Sequence, residues 1–244
     1  MRTKVAQLQQ KFKDIVWRSH EPSRLETFSD AVFGFALTLI IVSIEVPKTF
    51  DELEETMKGG ISFAVCFAVL FQIWNNQNIF FRRYGLKDTF TVLLNAVLLF
   101  VVLIYAYPLK FLTVLLFSNG TTLHEGHQIA MIRPEQIKPL MMIYGAGFAV
   151  IYLLFFLMYR NAAKRAHEAK LTDQELFHTR TVAGINIICM LICLAVMTLT
   201  YTATRQTAGK TGFFYFMIPF GYMIWYRYRA KKARRLFTTP AKLS

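Results

Sequence analysis

A carboxylate lies near the start of the first long apolar run of this sequence, residues 27–47. Asp30 occurs there among Ala, Val, Phe, Leu and Ile side chains. An ionised carboxylate is costly to bury in apolar surroundings, so it requires a hydrogen-bonding partner, a bound cation or a proton. This residue type at this place predicts either an anchor between helices or a site that handles a cation.

Two capping signatures compete at the start of the run. Thr27 and Asp30 have the spacing of a capping box, and so do Ser23 and Glu26, which follow Pro22 directly. In the first case Asp30 only caps a helix. In the second case Asp30 lies nearly two turns inside the helix and needs a buried partner, and this is the arrangement we expect.

The second apolar run supplies candidate partners for Asp30. Near its end, Trp74 is followed by four amide side chains, Asn75, Asn76, Gln77 and Asn78. This run returns to the side of the membrane from which the first one starts, and Asn95 and Asn186 begin later runs on that side. Because amides donate hydrogen bonds to carboxylates, we expect a polar belt around Asp30. The alternative hypothesis makes Asp30 the coupling-ion site of a cation- or proton-coupled secondary transporter.

Other reactive side chains do not form a recognisable site. The three cysteines, Cys66, Cys189 and Cys193, lie in apolar runs and are expected to be buried, without a disulfide or zinc pattern. His124 and His127 lack the helical spacing of a zinc site. We therefore expect no enzyme activity, no cofactor and no bound structural metal.

Membrane helices must position these residues. Of the 244 residues, 55% are hydrophobic and 18% are charged, whereas a soluble domain carries about 25% charge. Six runs approach the roughly 20 apolar residues that cross a bilayer, namely 27–47, 59–81, 89–117, 139–160, 181–201 and the shorter 211–225. Lipid offers the backbone no hydrogen-bond partners, so each run must be helical. We predict an all-α integral membrane protein, a single subunit over residues 1–244 with six transmembrane helices.

Prolines and charges refine this prediction. Pro108 is expected to end or kink the third helix, and Pro219 to bend the sixth. Most of the 28 Lys and Arg fall on one side of the predicted spans, which places both the N- and C-termini in the cytoplasm. We expect the amphipathic segment 1–22 and the basic tail 227–244 to contact anionic lipids and not nucleic acid.

The first run has two different helical faces. At about 100° per residue, Phe35, Thr38, Leu39 and Val42 share one stripe, and Asp30 shares another with Gly34, Leu37 and Ile41. The stripe with Asp30 is expected to dock into the subunit, while the stripe with Phe35 faces something else. The residues alone leave lipid or ordinary helix packing open as the environment of that second stripe.

The run Arg24-x-x-x-Phe28-Ser29-Asp30 resembles the signature that opens the first helix of the transmembrane protein 175 family, the lysosomal and prokaryotic potassium channels. Six spans, a single repeat and the lack of a Thr-Val-Gly-Tyr-Gly filter agree with the prokaryotic form. The resemblance implies a potassium-selective homotetramer in the plasma membrane of a prokaryote. Its pore is lined by the first helix of each subunit.

The resemblance also implies roles for individual residues. Phe35 is the main constriction of a hydrophobic gate, with Leu39 and Val42 as further pore-facing layers. Thr38 contributes the hydroxyl layer that favours potassium, which is held there only transiently. The implied structural network that positions the pore helix comprises Arg24, Phe28, Ser29, Asp30, Trp74, Asn75 and Asn78. Glu45 is expected near the outer mouth, where a carboxylate attracts cations.

One feature of this chain departs from the family pattern. Relatives often carry paired histidines after the tryptophan that ends the second helix, whereas Asn75 to Asn78 follow Trp74 here. Hydrogen bonding can persist with amides, but behaviour that depends on histidine protonation is not expected.

Overall fold

The computed structural model of the protein describes residues 18, 21–42, 48–50, 53–54, 57, 60–117, 121–124, 127–204 and 207–237. These residues form six long helices, which are α1 (Arg24–Val42), α2 (Gly60–Tyr84), α3 (Thr89–Phe117), α4 (Ile137–Lys164), α5 (Asp173–Thr202) and α6 (Met217–Phe237). Each helix overlaps one of the six apolar runs, so the predicted helical class is confirmed.

Short elements connect some of the helices. An antiparallel hairpin of β1 (Thr121–His124) and β2 (His127–Ala130) follows α3. Short 3-10 segments, Pro134–Gln136 and Ala208–Phe216, precede α4 and α6. The apolar runs indicated neither the hairpin nor the 3-10 segments, since both depend on local hydrogen bonding more than on hydrophobicity.

The two prolines occupy different positions in their helices. Helix α3 continues past Pro108, so this residue does not end it. Pro219 falls in the first turn of α6, where a missing amide hydrogen leaves no helical bond unmade. The bend expected within the sixth helix is thus replaced by a change from 3-10 to α-helical geometry before Pro219.

Helix α3 lies at the centre of the bundle. It packs against α1, α2 and α4, while α4 packs along α5 and α5 contacts α6. The Tyr105 hydroxyl donates to the Tyr144 carbonyl at 2.8 Å, and the Tyr144 hydroxyl donates to the Pro108 carbonyl at 2.6 Å. These reciprocal bonds join α3 to α4 inside the apolar core, where neither hydroxyl could remain unpaired without cost.

Close approach of α3 and α4 depends on a missing side chain. A Cβ atom at Gly147 would overlap the ring of Tyr105. The Tyr105 ring stacks edge-on against Phe148, with ring centroids 5.5 Å apart. A glycine in mid-helix therefore has a packing reason here, because it accommodates the aromatic ring of the facing helix.

Among the described helices, three are both long and apolar enough to cross a membrane, Thr89–Leu115, Pro134–Lys164 and Asp173–Thr202. Helix α1 carries Arg24, Glu26 and Asp30 in its first two turns. A row of large apolar side chains on α3, including Leu93, Phe100 and Ile104, is exposed, as suits a protein whose surroundings are lipid or other subunits.

Candidate functional site

Helix α1 starts at the second of the two predicted capping signatures. The Glu26 amide donates to the Ser23 hydroxyl at 3.3 Å, and the Ser23 amide donates to the Glu26 carboxylate at 3.1 Å. This reciprocal capping box fixes the first helical residue at Arg24. Asp30 therefore lies well inside the helix and does not cap it.

Asp30 has a partner on α2. The indole nitrogen of Trp74 donates to the Asp30 carboxylate at 2.6 Å. A hydrogen bond to an ionised acceptor is stronger than one between neutral groups. The contact joins α1 to α2 between two residues that the family resemblance placed in one structural network.

A second, buried chain of hydrogen bonds joins three helices. The Gln77 amide donates to the Asn95 carbonyl oxygen at 3.0 Å, and the Asn95 amide donates to the Ser29 hydroxyl at 2.9 Å. Ser29 in turn donates to the Leu25 carbonyl at 2.8 Å. Gln77, Asn95 and Ser29 are at most 1% exposed, so the chain satisfies groups that water cannot reach.

The remaining members of the predicted network take no part in these hydrogen bonds. Arg24 and Phe28 are exposed on α1, and Asn75 and Asn78 are half-buried on α2. None of these four makes a side-chain hydrogen bond within the described part of the chain. Asn186, expected in the same belt, donates instead to the Val182 carbonyl of its own helix at 2.8 Å.

A polar cavity of about 210 Å³ opens beside the first turns of α1. Glu26, Asp30, Gln77 and Asn78 contribute to its lining. Carboxylate and amide side chains thus line a space at the N-terminal end of α1 that is large enough for several water molecules.

The docking face of α1 differs from the predicted one. Ser29, Phe33, Ala36 and Ile40 are at most 3% exposed, and they follow helical spacing along one side. The sequence argument had placed Asp30, Gly34, Leu37 and Ile41 on this face, but Asp30, Gly34 and Ile41 are exposed. The prediction was wrong because it used Asp30 as the centre of the face, whereas Trp74 reaches Asp30 at the edge.

The opposite face of α1 remains open. Phe35 is 58% exposed, Thr38 is exposed and Leu39 is half-buried. The Thr38 hydroxyl donates to the Phe35 carbonyl at 2.8 Å. The side chain of Val42, as well as Glu45, lies outside the described residues.

A lysine that the sequence analysis did not consider contacts the far end of α1. The Lys110 ammonium, on α3, donates to the Ile40 carbonyl at 3.0 Å. Cations near the last carbonyls of a helix are stabilising, because these carbonyls form the negative end of the helix dipole. The sequence signal for this contact was a single lysine within the apolar run 89–117.

Asp88, which the sequence analysis also did not consider, joins the start of α3 to the end of α4. Its carboxylate accepts from the Thr91 amide at 3.2 Å and from the Thr91 hydroxyl at 2.7 Å, which caps α3. Asn161, on α4, donates to the same carboxylate at 3.2 Å. Burial opposes ionisation of Asp88, but these hydrogen bonds and the Arg165 charge outweigh it and lower its pKa.

No group of three or more His, Cys, Asp or Glu residues is placed to hold a metal ion in the described part of the chain. Cys66, Cys189 and Cys193 are unpaired and buried, as expected. The Cys66 sulfur lies 3.1 Å from the Thr113 hydroxyl. Helix α1 is thus anchored by polar bonds on one side and open on the other.

Comparison with known proteins gives this arrangement a family. The sequence model of the endosomal/lysosomal potassium channel TMEM175 matches residues 24–108, which include α1, α2 and most of α3. A potassium channel of Marivirga tractuosa is 36% identical over 228 residues, covering 90% of this chain and 92% of that protein. A potassium channel of Chamaesiphon minutus is 25% identical over 151 residues, covering 59% of this chain and 66% of that protein.

A solved structure is similar over most of the chain. It is the crystal structure of a variant of the potassium channel MtTMEM175 in complex with a Nanobody-MBP fusion protein. The similarity has a TM-score of 0.71 and 33% identity, and it covers 89% of this chain and 97% of that one. The relatives are channels and not enzymes, and the chain is an integral membrane protein. It belongs to the TMEM175 family of potassium channels.

Proposed function

We propose that the chain is one subunit of a homotetrameric, potassium-selective channel whose pore is lined by four copies of α1. Relatives named potassium channels that match along most of the chain support this proposal. In the proposed arrangement all six helices cross the plasma membrane of a prokaryote. Both termini are cytoplasmic, and the basic tail from residue 227 lies against anionic lipid.

The two-sided environment of α1 is the observation that carries the proposal. One side, with Ser29, Phe33 and Ala36, is buried against α2 and α3, while Phe35 and Thr38 face outward on the other. A helix that is anchored on one side and exposes an aromatic ring and a hydroxyl on the other is suited to line a shared axis. The polar bonds of Ser29 and Asp30 set which side turns outward.

The outward side chains have chemistry suited to a gated cation pore. A ring of Phe35 side chains, followed by Leu39 and Val42, excludes water and gates by dewetting. Thr38 uses its hydrogen within its own helix, which leaves the lone pairs of Oγ1 for a potassium ion that passes. Glu45 near the outer mouth raises the local concentration of cations.

Reconstitution with a structural readout tests the proposal. The purified protein should form particles of fourfold symmetry with α1 on the axis. It should also carry a passive potassium current in planar bilayers that requires no counter-ion. Density that places Phe35 and Thr38 against lipid would contradict the pore assignment. Saturable flux that requires a counter-ion would favour the transporter hypothesis for Asp30 instead.

A further inference from the structure

Arg18 lies a few residues before α1 and makes an unusually complete set of contacts. Its guanidinium donates to both carboxylate oxygens of Glu175, at 3.0 and 2.8 Å. It also donates to the Arg83 carbonyl at 3.1 Å and to the Lys170 carbonyl at 2.8 Å. The Arg18 amide donates to the Arg82 carbonyl at 3.0 Å. One residue thus binds the end of α2, the loop before α5 and α5 itself.

The partners of Arg18 are fixed independently of it. Glu175 forms a capping box with Thr172 at the start of α5, with its carboxylate accepting from the Thr172 amide at 2.9 Å. Lys170 has a positive φ of 48°, and its carbonyl is one of the acceptors. Both acceptors therefore belong to a locally ordered turn, and Arg18 docks onto a site that the loop already forms.

The contact is largely removed from solvent. The side chains of Arg18 and Glu175 are 17% and 3% exposed in this ion pair. Exposed ion pairs contribute little to stability, but removing one partner of a buried, bidentate pair leaves a charge without compensation. The geometry therefore indicates a firm attachment of the segment that leads into α1.

This attachment links the two halves of the bundle at the base of α1. Helix α1 packs only against α2 and α3 among the principal helix contacts, whereas Glu175 and Lys170 belong to the half formed by α4 to α6. Because Arg18 precedes α1 by only a few residues, we expect a tilt of α1 to pull on the contacts of Arg18. The ion pair can thus resist movement of the helix at its cytoplasmic end.

We propose that Arg18 is a positioning residue that latches the base of the pore helix to α5 and holds the channel closed. This inference rests on the proposed function, in which movement of α1 opens the pore. The latch acts on the equilibrium between closed and open channels. It touches neither Phe35 nor Thr38, so it leaves the conduction pathway itself unaltered.

Single-channel recording of the full-length protein in planar bilayers tests the latch. Arg18→Ala should raise the open-to-closed ratio about tenfold, the change that 1.4 kcal/mol produces, with unitary conductance and potassium-over-sodium selectivity unchanged. Glu175→Gln should act in the same direction, because glutamine can retain the capping box but cannot form the bidentate ion pair with a guanidinium. Arg18→Lys, which keeps the charge but lacks the bidentate geometry, should fall between wild type and Arg18→Ala.

Arg160→Ala is the matched control. Arg160 is exposed near the end of α4 and makes no side-chain hydrogen bond or ion pair among the described residues. Its removal should leave the open-to-closed ratio unchanged, and an equal rise there would overturn the latch. An unchanged open-to-closed ratio in Glu175→Gln would also overturn the latch. This variant tests the latch even if Arg18→Ala does not fold. A wild-type protein without potassium current would instead overturn the proposed function, and the latch with it.

Discussion

The hydroxyl of Thr38 is the side-chain group most directly suited to coordinate a cation on the open face of α1. Its hydrogen is bonded to the Phe35 carbonyl at 2.8 Å, so its oxygen presents lone pairs outward. Thr38→Ala removes these oxygens but keeps the helix and its polar anchors. We expect lower potassium-over-sodium selectivity with conduction retained, measured as a shift of the reversal potential in mixed-salt bilayers.

Thr38→Ser is the control for this prediction. Serine retains the hydroxyl and can make the same bond to the carbonyl one turn earlier. It should keep most of the selectivity of the wild type. Reversal potentials that do not change in Thr38→Ala would move the selectivity layer to another residue.

The ring of Phe35 is a large aromatic group on the open face and is 58% exposed in one subunit. Four such rings around an axis would exclude water from a narrow passage, since an apolar constriction favours the dewetted state. Phe35→Ala should raise the potassium flux into liposomes several-fold above wild type, an order-of-magnitude expectation for removal of an apolar gate. Phe100→Ala, at an equally exposed ring on α3 (62%), should leave the flux near the wild-type value. An unchanged flux in Phe35→Ala would place the gate elsewhere.

At the scale of the helices, α3 and α4 are joined at one end by Asp88. Its pKa is lowered because hydrogen bonds and the Arg165 charge outweigh burial. A carboxyl with a depressed pKa contributes stability that is complete above its ordinary pKa of about 3.9 and is lost as the pH falls through its value in the folded state.

Asp88→Asn tests this contribution. Near neutral pH the variant should melt at a lower temperature than the wild type, by the equivalent of about 1 kcal/mol, as for loss of a charged helix cap. Acidification through the lowered pKa of Asp88 should close the gap, because the wild-type carboxyl then becomes protonated and loses its advantage over the amide. Thermal unfolding in detergent, from neutral to acidic pH, measures this difference in melting temperature. Asp173→Asn, at an exposed residue of the first turn of α5, is the control, and its difference from the wild type should not shrink on acidification. A gap that persists at low pH would contradict the assignment.

The middle of the α3–α4 contact depends on Gly147. A Cβ there would overlap the Tyr105 ring, so Gly147→Ala must displace a ring that also donates a hydrogen bond to Tyr144. We expect a loss of about 1–3 kcal/mol in unfolding free energy, typical of overpacking, seen as a lower melting temperature. Gly221→Ala, on α6, meets only ordinary contacts at 3.4 Å and beyond and should be neutral or slightly stabilising. Equal melting temperatures for the two variants would refute the packing role.

The helices were predictable at this scale because their signal is local. Apolar runs located all six, and the Ser23–Glu26 capping box located the start of α1. The docking face of α1 was not predictable from Asp30, because a long indole can reach a carboxylate that lies beside the interface. Contacts such as Lys110 to Ile40 or Arg18 to Glu175 join residues far apart in sequence, and periodicity within one helix contains no information about them.

At the scale of the whole molecule, one subunit leaves the Phe35 and Thr38 face of α1 without a protein partner among the described residues. Symmetric assembly would enclose this face, since most homo-oligomers close around an axis. Native mass spectrometry should therefore give a mass of four copies. Cysteine substitution adds a test of what lies at the axis.

Thr38→Cys should make the potassium current sensitive to a water-soluble thiol reagent, because a pore-lining thiol is reached through water. The native cysteines should not interfere, as Cys66, Cys189 and Cys193 are fully buried. Leu93→Cys, at a residue 58% exposed on α3, provides the control, since a thiol outside the conduction pathway should not block current when modified. Block in Leu93→Cys but not in Thr38→Cys would assign the axis to α3, and an assembly other than four copies would exclude the fourfold pore.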